Sequence, residues 1–579
     1  MFRLSTVFAS FLQRRWFKLS RKPRRYQKVL FEETLEDKVE KSPHAARFFL
    51  YIAKHLYIPF YEVKNEGAPP YDRVTLVALI LFGFYKGNFS QQSIIDMHED
   101  SLGANWLLKG MTLPCARTVK RVINQIKENI GLIFIQIIEL CELFNLIGGE
   151  RYFIDGTKTR ANASKHKAMS YKYLCKKLKT TEAEITNLTQ DMVDCIDEYK
   201  DLSDKKLERI IISAAESIHQ EAKSLHQKQL KAKQEAIFSG KEPLPVEQNS
   251  NNKEAKVNSD RLKLFELIDG GKNEQAQEVL EDMGHKLSRQ ETMNKAKDDL
   301  ETAWKKEHRN KPIPDKQQIN FTDPESQIMV TKHHGVQQCY NNFAMVDQKA
   351  HIIVGAYTSN CSNDKQALIP TIENARNYIN IHGVEIGVDA GFFSADNIRY
   401  GDNNNIDLYI SVPQAESSFA KDKFKYDEEN DIYLCPEDNE LTPPDRFKEG
   451  AKSRIYKTDK CLECPSQSDC TKAKDGIRKI VRDLEGDPLR EKAEIKANTE
   501  IGKEILSQRK AVSEPVWGNM KNQDGLVQLH SRGLDNAGNE FILRCLMHNL
   551  RKLYKVYKNN PQARNKIENM EANTCQGVA

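Results

Sequence analysis

The sequence has no hydrophobic run long enough to cross a membrane. Its longest apolar stretch is Val74–Tyr85, whereas a membrane-spanning helix needs about 20 apolar residues in succession. A stretch of this length suits a buried helix, so we expect no membrane partner. Neither a glycine-rich nucleotide-binding loop nor a Ser-His-Asp arrangement stands out, which leaves no support for either kind of chemistry.

Cysteine is sparse, and it is scattered apart from one cluster. The 12 cysteines lack the dense, regular spacing of a secreted disulfide framework. Their distribution favours a reducing cytoplasm as the location of the protein.

Excess charge is also small for a chain of this size. The 579 residues carry a formal net charge of +5, and 39% of them are hydrophobic and 29% charged. This composition is typical of a globular protein, and the length allows three or more compact units. A balance this close to neutral indicates nucleic-acid binding only where positive charge is concentrated.

Positive charge is concentrated at the start of the chain. Residues 1–28 contain many arginines and lysines and no acidic residue. The stretch fits a solvated tail, an arm that contacts DNA phosphates, or a transit peptide. Its apolar segment, residues 7–12, is short and broken, and no small-residue cleavage site follows it. We therefore favour an arm over a targeting segment.

Changes in sequence pattern divide the rest of the chain. Apolar residues recur at three- and four-residue steps over 40–148, which predicts helices. A similar stripe in the highly charged stretch 171–315 predicts a helical hairpin or coiled coil. Strand-like runs flank that stretch. The predicted segments are a basic arm (1–39), a helical domain that binds DNA or only packs (40–148), the first part of an α/β core (149–170), the helical insertion (171–315), the core continued (316–412), a Cys-rich insertion (413–480), the C-terminal helical part of the core (481–558) and a tail (559–579).

Two aspartates share a local pattern. In "YFIDGT" and "IGVDAG" an apolar run ends at Asp155 or Asp389, and a small residue follows. We expect each strand to end at the acid and a turn to open after it. A single instance is an ordinary turn-forming aspartate. The repetition indicates two carboxylates at strand ends, where open α/β sheets place their chemistry.

Glu514 is the candidate third acid. Three carboxylates can hold two divalent cations about 4 Å apart for phosphoryl transfer, and hard oxygen ligands suit Mg²⁺ or Mn²⁺. Because Pro515 follows it, we expect Glu514 near the start or a kink of a helix. Lys521 lies two helical turns further on and on the same face. Taken alone, Lys521 is an ordinary surface lysine.

The ordered set of motifs resembles bacterial insertion-sequence transposases of the DDE type, which have a ribonuclease-H-like catalytic core. The likeness covers about residues 40–555, in the order of that family. The segments that carry it are "PPYDRVTLVALILFGFYKG" and "NWLLKGM" in the helical domain, "YFIDGTKTRANASK" and "IGVDAGFFSADNI" around the two aspartates, "TDPESQIM" between them, and "SEPVWGNMKNQDGLVQLHSRGL" around the glutamate.

The resemblance implies both a fold and an activity. The fold would be α/β (α+β), with a ribonuclease-H-like mixed sheet, an all-helical N-terminal domain and the two insertions. Asp155, Asp389 and Glu514 would be the catalytic triad and would bind two Mg²⁺ or Mn²⁺ ions. The enzyme would hydrolyse DNA at the ends of its element, and the freed 3′-hydroxyl would then attack target DNA. Alternatives on the same core are a metal-dependent nuclease and a host-adopted DNA-binding protein.

DNA contacts and partners follow from the same resemblance. The substrate would be double-stranded DNA, as terminal inverted repeats and as target, and the protein would act as a homodimer in the synaptic complex. Its location would be the bacterial cytoplasm, at the nucleoid. For Lys158, Arg160 and Lys521 a solvated surface position is the simpler alternative. The basic candidates for DNA contact are Lys158, Arg160, Arg509, Lys510, Lys521 and Arg532.

The cysteine cluster is a candidate zinc site. A C-x-x-C pair with two further cysteines at loop distance can form a tetrahedral thiolate site. A small loop-rich segment is expected to lack a hydrophobic core, which a structural metal would replace. Free thiols and a labile redox pair are the alternatives. The four predicted ligands of Zn²⁺ are Cys435, Cys461, Cys464 and Cys470.

Overall fold

The computed structural model divides the chain into two compact units. One unit comprises Met1–Asn162 and Met329–Ala579, and the other comprises Ala163–Ile328. Most of the predicted basic arm and the end of the predicted tail lie outside the described residues. The structure describes residues 35–59, 71–194, 204–239, 264, 273–308, 311–331, 334–444 and 450–570.

Helices make up much of the described chain. Among the described residues before the first strand, every regular element is a helix, as predicted for the N-terminal domain. The helices are α1 (Leu35–Glu40), α2 (Ala45–His55), α3 (Arg73–Tyr85), α4 (Gln91–Asp100), α5 (Leu102–Leu108), α6 (Ala116–Glu128), α7 (Ile130–Leu143), α8 (Tyr171–Asp194), α9 (Asp204–Ser239), α10 (Asn273–His308), α11 (Leu368–Arg376), α12 (Ala395–Asn403), α13 (Gln467–Cys470), α14 (Gly486–Asn498), α15 (Glu500–Gln523), α16 (Leu534–Asn559) and α17 (Pro561–Asn569).

The longest apolar run of the sequence forms α3, which is buried on almost every side. Asp72 caps this helix, because its carboxylate accepts a hydrogen bond from the Thr75 amide at 3.0 Å. Residues 75–84 are all buried, which explains why the run has no polar face. Within the described residues no helix combines the length and hydrophobicity that crossing a bilayer requires.

Strands alternate with the later helices. They are β1 (Arg151–Arg160), β2 (Ala168–Ser170), β3 (Gln318–Asn320), β4 (Gln327–Thr331), β5 (Gly335–Asp347), β6 (Ile353–Ser359), β7 (Glu385–Val388), β8 (Asp407–Ile410), β9 (Lys425–Asp427), β10 (Ile432–Leu434), β11 (Glu440–Leu441), β12 (Ser453–Tyr456) and β13 (Ile480–Asp483).

A six-stranded mixed sheet forms the centre of the first unit. Its order is β4-β5-β1-β7-β8, and β6 also pairs with β5. Strand β5 is antiparallel to both β6 and β1, whereas β1, β7 and β8 run parallel. With helices before and after it, this sheet confirms the predicted mixed α/β class and is consistent with a ribonuclease-H-like core.

Strand β1 does not end at Asp155, so the predicted turn there is wrong. The strand continues to Arg160, because it pairs with β5 over its whole length. Only the parallel ladder with β7 stops, at the pair Ile154–Val388. Gly156 remains in the strand, and a β-carbon on it would lie 2.7 Å from the Phe343 ring. Its small size reflects this close approach rather than a turn.

Helix α15 packs on β1 and β7. Its Ile505 is fully buried near Gly387, the third residue of β7. Arg151, at the start of β1, pairs with Glu385 of β7 at 2.6 Å and with Glu504 of α15 at 3.2 Å. These contacts fix the first half of α15 over the two strands that lead to the aspartates.

The second unit is helical, as predicted for the insertion. Helices α8, α9 and α10 bury an apolar cluster that includes Met192, Ile211 and Leu280. A smaller cluster contains Leu174 and Met293. The unit therefore has hydrophobic cores of its own.

The cysteine-bearing segment has a hydrophobic core, contrary to the expectation from sequence. Its short strands surround a cluster that includes Tyr433, Leu441 and Tyr456, and Cys435 and Cys470 pack against that cluster. Tyr433 and Tyr456 meet edge to face, with ring centroids 5.0 Å apart. Aromatic rings bury much area for each residue, which allows so short a segment to form a core.

Candidate active site

Asp155 lies on the face of β1 that α15 covers. Its Oδ1 accepts a hydrogen bond from the Gly156 amide at 2.9 Å, and the Trp517 side chain of α15 lies close enough to lower the pKa of the carboxylate. Burial raises the pKa of Asp155 above its ordinary value, although the nearby Arg509 cation and the Gly156 hydrogen bond act in the opposite direction. The acid is therefore held in place by its strand and by one helix.

Asp389 follows β7 directly, as the sequence predicts. The chain leaves the sheet at this residue and forms a turn of 3₁₀ helix over Ala390–Phe392. The Oδ1 of Asp389 accepts a hydrogen bond from the Ala390 amide at 2.9 Å. About half of the side chain, 49%, is exposed, so this carboxylate is accessible from solvent.

Arg509 of α15 brings the two acids into one cluster. Its Nη1 lies 3.6 Å from Asp155 Oδ1, and its Nη2 lies 3.4 Å from Asp389 Oδ1. Arg509 stands one helical turn after Ile505, which packs over the same strands. The sequence assigned Arg509 to DNA, whereas in the structure its guanidinium contacts the acid pair.

Glu514 is not part of this cluster. It lies within α15 rather than at its start, because the helix continues through Pro515. Its side chain is exposed, and among the described residues it makes no hydrogen bond or ion pair. Nowhere in the described part of the chain do three or more His, Cys, Asp or Glu side chains lie close enough to hold a metal ion. The structure thus unites two members of the predicted triad and leaves the third apart.

The acid pair nevertheless has the donor chemistry of a divalent-ion site. Two carboxylates on neighbouring strands already share one cationic group. Carboxylate oxygens are the ligands that Mg²⁺ and Mn²⁺ prefer. Asp155 and Asp389 therefore fit two of the three predicted ligands.

Lys158 and Arg160 lie on the other side of the sheet from Asp155. The pairing of β1 with β5 is regular from Tyr152 to Arg160, so successive side chains point to opposite faces. Asp155 shares its face with Thr157, and the two basic residues share the opposite one. The structure does not bring them beside the acid pair.

Of the remaining basic candidates, Lys510 and Lys521 lie on α15, the helix that carries Glu514. Lys510, Glu514 and Lys521 are four and seven residues apart on α15 and therefore lie on one side of it. Lys510 is exposed, and Lys521 lies in the last turn. Arg532 is exposed near the end of β1, and its Nε donates a hydrogen bond to the Asn162 carbonyl at 3.1 Å.

A buried charge network positions the loop after α15, and the sequence did not predict it. Arg544 has 1% of its surface exposed and donates to Glu540 Oε1 at 3.0 Å and to the Asp524 carbonyl. Glu540 accepts from the Ser531 amide at 2.8 Å. The residues between form backbone hydrogen bonds with Arg160 at the end of β1. Glu540 and Arg544 are four residues apart, the spacing of an ordinary ion pair on an exposed helix surface. Their burial therefore cannot be predicted from the sequence.

Trp517 is the other site residue that the sequence did not single out. It lies eight residues after Arg509, and thus on a similar side of α15. It is buried and stacks on Phe541, with ring centroids 6.2 Å apart. Its helical spacing from Arg509 could have indicated a place beside the acids.

The four clustered cysteines line one pocket, together with residues such as Asn439 and Arg478. The Asn439 amide donates to Cys435 Sγ at 3.3 Å. Burial and the other three thiols raise the pKa of Cys470, whereas Arg478 lowers it. The thiols are therefore neighbours, although they are not at coordination distance.

Comparison with known proteins supplies a family for part of the chain. A family model described as "Transposase DDE domain" matches residues 434–554. This stretch contains Glu514, Lys521 and the four clustered cysteines, and it does not include Asp155 or Asp389. No curated protein and no solved structure matches the chain. The match supports a transposase, an enzyme of the polynucleotidyl transferase type, and confirms the resemblance of this chain to DDE transposases.

Proposed function

We propose that the chain is the transposase of a bacterial insertion sequence, which cleaves DNA at the element's ends and joins the 3′-hydroxyl to target DNA. One observation carries this proposal. Asp155 and Asp389, from neighbouring parallel strands, share a cation from the helix that also carries Glu514. The transposase match over that helix supports it.

Asp155, Asp389 and Glu514 would hold two Mg²⁺ or Mn²⁺ ions, for which Glu514, which lies apart from the pair in the structure, would have to move toward it. Such ions neutralise charge on the phosphodiester and lower the pKa of a bound water. The protein's part is to fix the first two carboxylates through β1 and the end of β7, and to supply the third from α15. Because the acids are the reactive centre, no Ser, Cys or Tyr nucleophile is required.

DNA would approach the exposed side of α15. Lys510 and Lys521 flank Glu514 on that side, so phosphates near Glu514 would meet positive charge. Arg532 would extend this basic surface toward the end of β1. Lys158 and Arg160, on the other face of the sheet, would contact a different part of the duplex.

The partners follow from the reaction. Two element ends must be held together, which favours a homodimer bound to two terminal inverted repeats. A chromosomal target places the protein in the bacterial cytoplasm, at the nucleoid. The four cysteines would hold a structural Zn²⁺ ion. Their segment shortly precedes α15, the proposed DNA-binding helix, in the sequence.

The proposal is tested by variants of the three acids, which should lose DNA cleavage while they keep DNA binding. We expect Asp155→Asn, Asp389→Asn and Glu514→Gln each to lower cleavage of an end-containing duplex by about a hundredfold to a thousandfold, the scale of a lost electrostatic catalytic group. Gel-shift affinity for the same DNA should change little. Glu500→Gln, an exposed acid on the same helix, is the matched control and should cleave normally.

The products separate the rival functions. A transposase joins the cleaved ends to a target plasmid, whereas a nuclease releases cut ends without joining them. A DNA-binding protein without catalysis would tolerate all three acid substitutions in every assay. Normal nicking by any acid variant would remove that residue from the triad.

A further inference from the structure

Arg509 occupies an unusual place for a basic residue of a DNA-binding protein. Only 14% of its side chain is exposed, and both of its terminal nitrogens face carboxylates of the acid pair. Its neighbour Lys510 is exposed. The helix thus directs Arg509 toward the acid pair and presents the following residue, Lys510, to solvent.

The contacts of Arg509 are ion pairs without hydrogen bonds. The two N···O distances, 3.6 and 3.4 Å, exceed the usual 2.7–3.2 Å of N–H···O bonds. Among the described residues Arg509 makes no hydrogen bond with any other group. The guanidinium is held without hydrogen bonds, so its departure would break none.

A divalent ion and the guanidinium compete for the same oxygens. Arg509 approaches Oδ1 of both aspartates, and Mg²⁺ would bind carboxylate oxygens at about 2.0–2.1 Å. An arginine side chain does not lose its charge in a protein. A metal ion bound to either oxygen would therefore meet a fixed positive charge within a few ångströms.

We propose that Arg509 is a resident counter-cation of the acid pair, which holds Asp155 and Asp389 together in the metal-free protein and is displaced when divalent ions bind. The inference rests on the proposed function, because it assumes that these acids are the metal ligands. Arg509 then sets the divalent-ion concentration at which the site fills, and the site stays closed to metal below it.

Direct measurement of Mn²⁺ binding tests this role without DNA or catalysis. A neighbouring charge changes the proton affinity of a carboxylate by about 10- to 1000-fold, so we expect Arg509→Gln to bind Mn²⁺ at least about tenfold more tightly. Free Mn²⁺ in solution, followed by electron paramagnetic resonance, gives the affinity. Arg509→Lys keeps the charge and should stay within a few-fold of the wild type.

Two controls separate displacement from simpler effects. Lys510→Gln removes the same charge from the adjacent position, and its Mn²⁺ affinity should change less than twofold if a contact rather than the general field is responsible. Arg509→Gln should melt at a lower temperature than the wild type without metal and should recover under saturating Mn²⁺. That recovery would show that the variant folds.

The outcomes identify which idea fails. Unchanged or weaker Mn²⁺ binding by folded Arg509→Gln overturns the counter-cation role, and so does an equal gain in Lys510→Gln. Asp155→Asn should lose Mn²⁺ affinity in the same assay. If Asp155→Asn binds Mn²⁺ like the wild type and still cleaves DNA, the assignment of Asp155 as a metal ligand in the proposed function fails instead.

Discussion

At the residue scale, His548 shows how burial sets the charge of a side chain. It lies within α16 with 2% of its surface exposed, and its Nε2 donates to the His351 carbonyl at 2.9 Å. Burial lowers its pKa to about 4, and the His351 hydrogen bond only partly offsets this effect. The imidazole is therefore neutral in the folded protein at neutral pH.

This neutral imidazole predicts a loss of stability in mild acid. Between pH 6.5 and about 4 the unfolded histidine binds a proton and the folded one does not, so stability falls as the pH falls. From pH 7 to pH 5 the loss amounts to about 2 kcal/mol. His548→Gln keeps a donor but does not titrate, so its free energy of unfolding should depend less on pH by that amount.

Denaturant unfolding at the two pH values measures this difference. His530→Gln, which changes an exposed histidine of the same unit, should keep the pH dependence of the wild type. Parallel curves for the wild type and His548→Gln would mean that the buried imidazole does not stay neutral.

Residue patterns predicted the two aspartates but not their surroundings. The sequences around Asp155 and Asp389 are alike, yet one lies inside a strand and the other ends one. The difference arises from β5, which pairs with β1 beyond Asp155, whereas the pairing of β7 with both neighbours stops at Val388. Pairing partners distant in sequence decide where a strand ends, and a local pattern does not contain them.

At the scale of elements, the position of helix α15 brings Arg509 to the two aspartates, a contact that the sequence alone did not predict. Its periodicity and the Glu514–Lys521 spacing were readable in the sequence. That Arg509 would contact both aspartates depends on how α15 sits on β1 and β7, which Ile505 and Arg151 determine. Since Arg509 and Lys510 are adjacent basic residues, only this packing distinguishes the inward cation from the outward one.

The cysteine-bearing segment leads to a prediction about metal content. Because four thiols line one pocket, protein purified under reducing conditions should contain about one zinc ion per chain, held by four cysteines. Cys461→Ser and Cys464→Ser should each lose it, as measured by elemental analysis. Cys361→Ser, outside the pocket and also partly buried, should retain zinc.

The aromatic core of the segment limits the effect of losing this metal. Small zinc domains without a core unfold when the metal is removed, whereas here the cluster around Tyr433 and Tyr456 remains. We expect a chelator to lower the melting temperature without abolishing folded structure. Folded, reduced protein that contains no zinc would contradict the site.

At the scale of the whole molecule, the separate cores of the two units determine how the chain unfolds. Leu280 is fully buried in the core of the helical unit, and Phe541 is fully buried in the unit that contains the sheet. Each should stabilise mainly its own unit. Replacing a buried leucine or phenylalanine by alanine costs about 2–5 kcal/mol, enough to make one unit open measurably more often.

Hydrogen exchange with mass spectrometry can follow both units in one experiment. Leu280→Ala should speed exchange in peptides from residues 163–328 and leave β1, β7 and α15 protected, whereas Phe541→Ala should do the reverse. The Mn²⁺ affinity of the acid pair should accordingly survive Leu280→Ala, because both aspartates and Arg509 belong to the other unit. If Leu280→Ala accelerates exchange in β1 and α15 to the same extent, the chain unfolds as one cooperative body and the prediction of separately opening units is wrong.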